Sequence, residues 1–299
     1  MKKPNFFVVG APKCGTTALC QYLSSHPHIY ISSCKEPHYF ADEFKEFGIN
    51  TWEDYTALFQ DAHEKHFRVG EGSTHYLFSP TALGNIYRYD SNAKIIAMLR
   101  NPIDLVYSYH SQLIYNLEEN EKNFEKAWHL QSARAKGQNI PALQKNPLVL
   151  QYKSLASLGS QVEKLLQIFP KEQIQFILFD DFKSSTKAIY ESVISFLDLP
   201  SDHKTSFPRV NANRKHRFER IGRLIENPPQ RLRSMVAATK KLLGTESLGI
   251  ANTARNINLK KFEREPLTEA FRAELFRAFE SDIQMLSLLL NRDLSHWRP

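Results

Sequence analysis

Eight consecutive residues, Gly10-Ala-Pro-Lys-Cys-Gly-Thr-Thr17, combine two glycines, a lysine and two hydroxyls directly after the apolar run Phe6-Phe-Val-Val-Gly10. A loop that joins a strand to a helix points backbone N–H groups at one spot, and the helix dipole adds partial positive charge there. The pattern is close to G-x-x-x-x-G-K-[ST], whose lysine reaches the terminal phosphates of a nucleoside triphosphate. Here Gly10 and Gly15 keep the spacing, but Thr16 stands where that lysine would be, and the lysine is inside the loop at Lys13. A lysine so placed lies beside a shorter tail, which suits a ligand with a single 5′-phosphate linked to another group. A second constellation is Arg100-Asn-Pro-Ile-Asp-Leu-Val-Tyr-Ser108. An arginine at a strand end and a hydroxyl eight residues later, inside the next helix, can grip a second phosphate from two sides.

These residues need a scaffold, and the apolar pattern supplies one. FFVVG (6–10), KIIAML (94–99) and IQFILF (174–179) have the length and flanks of buried parallel strands. Helix-like segments follow or precede them: Ile103, Val106 and Tyr107 share one face; so do Val162, Leu165, Leu166 and Phe169, stopped by Pro170; so do Ile189, Val193, Ile194 and Leu197. Strands alternating with helices imply an α/β fold, a P-loop-like three-layer arrangement with a central, mostly parallel sheet flanked by helices. Ligands in such folds bind beyond the carboxyl ends of the strands, where Gly10, Arg100 and Asp180 would gather. Near the C-terminus, Pro266 suits a first-turn position, and Leu267, Phe271, Leu275, Phe279, Ile283, Leu286 and Leu290 form one apolar stripe expected to pack on the sheet. The stretch 116–150 is polar with weak periodicity and reads as an insertion near the acceptor site. Residues 1–299 read as a single domain.

Composition narrows the ligand class. The chain has 299 residues, 42% hydrophobic and 24% charged, with a net charge of +7 and a pI near 9.2, which favours anionic ligands. Ten lysines and arginines against two acids fall between Arg209 and Lys241. Residues 209–255 therefore read as a basic helical lid over a phosphorylated cofactor or as a dock for an acidic acceptor. No nucleic-acid-binding module accompanies the charge. No apolar run is long enough to cross a membrane, and the N-terminal apolar stretch reads as a first strand rather than a signal peptide. The three cysteines, Cys14, Cys20 and Cys34, lack the spacing of a zinc site and suggest a reducing compartment, so a cytoplasmic location is expected.

The pair PKCGTT and RNPIDLVYSYH resembles the two cofactor signatures of the sulfotransferases that use 3′-phosphoadenosine 5′-phosphosulfate, PAPS. The resemblance is greatest to carbohydrate (heparan sulfate-like) and bacterial members, and LLNRDLSHW is similar to the closing helix and tryptophan of many bacterial ones. It implies that Pro12, Lys13, Cys14, Gly15, Thr16 and Thr17 cradle the 5′-phosphosulfate and that Arg100 and Ser108 bind the 3′-phosphate. By the same analogy Ser108 hydrogen-bonds Lys13, Phe179 sits where relatives stack adenine, and no metal is required. The family's closing K-G or R-K-G loop is missing; Arg214, Lys215 and Arg255 are the available cations.

The segment Lys35-Glu-Pro-His-Tyr-Phe40 resembles the E-x-H-[FY]-F element of carbohydrate sulfotransferases, which puts the catalytic base on Glu36 and acceptor contacts on His38 and Tyr39. An acceptor hydroxyl must lose its proton as it attacks sulfur, and a positioned carboxylate can take it. Thr74-His75 resembles the base of small-molecule sulfotransferases, so His75, with Tyr76 beside it, is a second candidate for base or acceptor contact. Gly72 replaces a lysine common in the carbohydrate group, and Ser157-Leu-Gly159 lacks an aromatic that often walls the acceptor site. The expected reaction is sulfuryl transfer from PAPS to a hydroxyl of a glycan or glycolipid. Three alternatives stand beside it: a small alcohol or phenol as acceptor with His75 as base; a P-loop kinase, with Asp180-Asp181 holding Mg²⁺; and a non-catalytic binder of anionic glycans. Oligomeric state is open.

Overall fold

A computed structural model describes residues 2–46, 48–208, 210, 214–216, 259–261 and 264–298, with backbone alone at 214–216 and 259–261. Five parallel strands form one sheet: β1 (Phe6–Gly10), β2 (Ile29–Ile31), β3 (Arg68–Gly72), β4 (Lys94–Leu99) and β5 (Ile174–Leu178), in the spatial order β2-β3-β1-β4-β5. Phe6 lies opposite Gly70 on one side and Lys94 on the other, and Leu99 opposite Leu178. A short antiparallel pair, β6 (Arg214–His216) and β7 (Leu259–Lys261), stands apart from that sheet.

The three strands expected from apolar runs are present. β1 and β4 keep their predicted bounds, and β5 ends one residue early because Phe179 opens the next helix. β2 and β3 carry little apolar signal. In β3, RVGEG, glycine is required by packing: a Cβ on Gly70 would lie 2.4 Å from the Phe6 ring. A large aromatic in β1 fills the space that a side chain of β3 would take.

Helix α1 (Thr16–Leu23) leaves β1 toward β2, whereas the chain leaving β3 passes α3 (Ala82–Tyr89) and crosses to β4. Connections from adjacent strands β1 and β3 thus diverge, and a crevice opens between their carboxyl ends, the topological position for a ligand. Helix α4 (Pro102–Asn116) follows β4, with Asn101 capping it through Ile103 N–H. Helices α8 (Leu158–Ile168) and α10 (Thr186–Phe196) carry the apolar faces read from the sequence.

The last long helix, which we label α11 (Glu269–Leu290), starts later than Pro266 suggested. Thr268 is its cap and accepts from Phe271 N–H, so the proline lies before the helix. Its stripe buries Phe271, Leu275, Phe279, Ile283 and Leu286, each contributing about 1.5–3 kcal/mol, against α8 and α4. Gly159 is explained here: a Cβ there would sit 2.3 Å from the Asp282 carbonyl oxygen of α11, and Asp282 accepts from the Gly159 and Ser160 N–H groups. The missing aromatic at this position is the consequence of a helix crossing. Trp297 then ties the turn after α11 to the segments that follow β5 and β4, donating Nε1–H to Asp180 (2.8 Å) and accepting at its carbonyl from Asn101 Nδ2.

Segment 116–150 folds into α5 (Phe124–His129), α6 (Gln131–Ala135) and a 3₁₀ turn, Pro147–Leu150. It touches the sequence around Glu36 through Asn146, which donates to the Glu43 carbonyl.

Candidate active site

The β1 loop narrows onto one point. Gly15 adopts a left-handed conformation, φ 91°, and a Cβ there would press to 3.2 Å from the Phe179 ring, so only glycine fits. No side chain caps α1, and Ala18 N–H turns back to the Gly15 carbonyl at 3.0 Å; a helix start without a side-chain cap can receive an anion. Pro12, Cys14 and Thr16 are buried, while Lys13 and Thr17 face the crevice less completely covered. Burial pushes the Cys14 thiol up to about 12, so this cysteine is a packing group.

Lys13 donates to Gln112 Oε1 at 2.8 Å. The lysine was expected to meet Ser108; its partner is the residue one helical turn further along the same face of α4. Ser108 itself is buried on that face. Burial, then the charges of Lys35, Arg264 and Arg100, pull Lys13 down to about 8. Arg100 donates to the Lys13 carbonyl (3.1 Å), lies 3.8 Å from Asp104 and stacks 4.7 Å from the centre of the Phe179 ring. Phe179 is therefore wedged between Gly15 and Arg100. Arg264 adds a cation the sequence did not flag. It lies 5.4 Å from the Tyr107 ring centre, and its Nη1 is buried without a hydrogen-bond partner among the described residues. Three neighbouring cations thus lower the proton affinity of Lys13, and the local field is strongly positive.

The other wall comes from the ends of β2 and β3. Glu36 accepts from Thr74 N–H (2.7 Å) and from the Thr74 hydroxyl (3.1 Å to each oxygen), and lies 3.6 Å from His38 Nε2 and 3.8 Å from Lys35 Nζ. Its side chain is 25% exposed, so one edge stays open. Burial raises its carboxyl above the ordinary value, against the lowering effect of Lys35 and Thr74. Burial likewise takes His38 down to about 4 and His75 to about 3, so both rings are neutral at neutral pH. His75 Nε2 meets the Tyr109 hydroxyl at 3.0 Å, and the two histidine rings lie 5.3 Å apart.

Beneath this wall is Glu71, wholly buried, which accepts from Tyr55 (3.0 Å), Tyr76 (2.8 Å) and Ser73 (2.8 Å). Burial raises it to about 7 despite those three donors. Ser73 also accepts from His38 N–H, so Glu71 holds the turn that carries the histidine. Tyr76, expected among acceptor contacts, is instead 0% exposed with its hydroxyl spent on Glu71. Tyr39 stacks on Tyr55 with ring centres 4.4 Å apart, at the edge of the same cluster.

Lys35 joins the two walls. Its ammonium donates to the Thr17 hydroxyl of the β1 loop while facing Glu36. Gly10 does so through the backbone: a Cβ there would meet Leu77 and the Thr74 carbonyl at 2.8 and 2.9 Å. Asp180 and Asp181, the aspartates a kinase would need, are engaged by Trp297 and by Arg292 (3.1 Å). Arg255 lies outside the described residues, as does most of 209–255. Arg214 and Lys215 fall in β6, beside α4. Gln112 was missed, although it lies four residues after Ser108 on the same helix. Arg264 carried no pattern.

Comparison with known proteins agrees with this geometry. The model of the sulfotransferase domain matches residues 3–227. A solved sulfotransferase from Alicyclobacillus acidocaldarius is 28% identical and superposes with a TM-score of 0.71 over 100% of both chains. Carbohydrate sulfotransferase 15 of Homo sapiens is 27% identical over 271 residues, covering 71% of this chain and 47% of that protein. Membrane-associated sulfotransferase kil1 of Dictyostelium discoideum is 34% identical over 121 residues, 40% of this chain and 25% of that one. This chain thus spans less than half the length of these two curated relatives. Among the described residues no helix is long and apolar enough to cross a membrane. With the domain model matched over most of its length and its all-parallel sheet shared end to end with a solved member, the chain belongs to the sulfotransferase family.

Proposed function

We propose that this protein transfers a sulfuryl group from PAPS to a hydroxyl of a carbohydrate-type acceptor, with Glu36 as the base. The observation that carries this reading is the position of Lys35, which touches the phosphate-type loop at Thr17 and the Glu36 carboxylate at once, so the donor and acceptor subsites adjoin. The residues fit the cofactor: a helix N-terminus without a side-chain cap, Lys13, Arg100 and Arg264, whose Nη1 has no hydrogen-bond partner among the described residues, together suit a ligand with more than one phosphate-type group. When bound, PAPS supplies the activated sulfuryl group and a phosphate leaving group.

The chain's own residues then have distinct tasks. The β1 loop amides, Thr16 and Thr17 hold the 5′ end. Arg100, Ser108 and Arg264 hold the 3′ end, with Phe179 as an apolar surface beside them. Glu36 takes the acceptor's proton as its oxygen attacks; burial makes it a better base than a solvated glutamate, and Thr74 keeps it aimed. Lys13 meets the negative charge that develops on the leaving oxygen. His75, held near 3, is the weaker base, which favours Glu36 over the small-molecule alternative. The carbohydrate sulfotransferase relatives support a sugar hydroxyl as acceptor.

The test has two stages. Thermal shift should show stabilisation by 3′-phosphoadenosine 5′-phosphate without Mg²⁺ and none by ATP with Mg²⁺. Transfer from radiolabelled PAPS is then screened on polysaccharides, glycolipids and small alcohols. Stabilisation by ATP–Mg²⁺ alone would sink the reading.

A further inference from the structure

Glu36, His38 and His75 each aim a donor atom at one small volume, and these atoms all lie within 4.8 Å of one another. We infer that they form a binding site for one zinc-class divalent cation. Donors that share a zinc ion, each at about 2.0–2.2 Å, sit roughly 3.2–3.6 Å apart in tetrahedral geometry. His38 Nε2 and Glu36 Oε2 are already 3.6 Å apart.

A second observation is independent of that spacing. His75 Nδ1 is buried with no hydrogen-bond partner among the described residues. A buried polar atom left unsatisfied is costly, and a cation at this point would satisfy it. His75 has its other nitrogen engaged by Tyr109, so Nδ1 is its free donor. The outer supports of a metal site are also present: the Tyr109 hydroxyl on His75, Thr74 on Glu36, and Ser73 on the His38 backbone, itself held by Glu71. Glu36 and His38 both adopt left-handed backbone angles, φ 60° and 53°, on either side of Pro37. That conformation is uncommon for such residues, and it turns both side chains toward His75.

Two imidazoles and one carboxylate select zinc or cobalt over magnesium or calcium, which take oxygen donors. Three protein donors leave a coordination position open, unlike a closed structural zinc site. Lys35, 3.8 Å from Glu36, opposes the cation, but it keeps Thr17 as its other partner. A bound cation occupies the lone pairs with which Glu36 would accept a proton, so zinc blocks transfer. This consequence alone rests on the reading of Glu36 as base.

The experiment uses the full chain, tag-free and treated with chelator. Cobalt titration is followed by visible absorption, and zinc competition by calorimetry. One equivalent of Co²⁺ should give d–d bands that one equivalent of zinc removes. His75→Ala and His38→Ala should each weaken binding at least about tenfold, whereas His129→Ala, at an exposed position, leaves it unchanged. His75→Gln serves if an alanine variant misfolds by circular dichroism. Binding that survives in both His75 variants, or the lack of a stoichiometric site in the wild type, overturns the inference. In the transfer assay, one equivalent of zinc should abolish turnover; full turnover with zinc bound overturns the blocking role. Zinc binding as described in a protein that transfers nothing to any acceptor leaves the cation site standing and rejects the sulfuryl-transfer reading.

Discussion

Two carboxylates withdrawn from solvent, Glu119 and Glu36, have opposite fates. Glu119, from the segment read as an insertion, lies against Arg134 with both side chains 0% exposed. The pair is bidentate at 2.6 and 2.7 Å, Tyr152 donates at 2.6 Å, and the Asn120 and Glu121 N–H groups complete the set. Burial alone would raise this carboxyl, but Arg134 and Tyr152 hold it below the ordinary value. Glu36 is only partly covered, its partners are fewer and one edge is open, and desolvation leaves its carboxyl raised. Desolvation is common to both, and the groups that oppose it, above all the paired Arg134 charge on Glu119, decide the sign. A saturated buried charge ties elements together; an unsaturated one remains available for chemistry.

The sharpest way to break this contrast is at the reactive wall. Glu36→Gln should lower kcat by about 10²–10⁴ while leaving the melting temperature unchanged or higher; loss of folding with retained turnover would reverse the two roles. Lys13→Ala should cost about 10²–10³ in kcat, measured by single-turnover transfer, and wild-type-like rates would reject its assigned task. On the other side, Arg134→Met leaves Glu119 buried and unpaired. It should remove about 3–5 kcal/mol of stability in urea unfolding and leave the affinity for 3′-phosphoadenosine 5′-phosphate unchanged. An unfolding midpoint equal to wild type would show that the pair is not structural.

The smallest effect is a pH dependence. Lys13 is depressed to about 8, and a bound anion prefers it charged. Below pH 8 the free protein already carries that proton, so cofactor affinity is full. Above 8 the proton must be taken up on binding, and affinity should fall by up to about tenfold per pH unit. Calorimetry in two buffers of different ionisation enthalpy checks this. An affinity flat from pH 7 to 9.5 would mean that Lys13 does not touch the ligand.

The same contrast governs what could be read from the chain alone. β1, β4 and β5 were legible because strands covered on both faces must be apolar throughout. β2 is three residues long, and β3 carries two glycines and a glutamate, so neither leaves such a trace. The loop Gly10–Thr17 and the pair Arg100 and Ser108 stood out because the contacts proposed for them rest on local geometry, a turn and one helix. Gln112 was missed although it lies on the same face as Ser108. Arg264 had no signal, since its role depends on a segment far along the chain returning beside Arg100 and Tyr107. Tyr76 was misread as an acceptor contact because a tyrosine next to a candidate base looks the same in sequence whether it faces ligand or core.

Sequence by itself determined the fold class and the strand-to-helix loop Gly10–Thr17, and it named the candidates for moving a proton. Those properties follow from local spacing and from the need of a central parallel strand to be apolar. Only the tertiary structure decided which carboxylates are saturated. It set Glu71 among three hydroxyls, Glu119 against Arg134, and Glu36 between Thr74, His38 and Lys35 with one edge open. The proton affinity of a buried acid is set by groups that the fold, and not chain order, brings within a few ångströms.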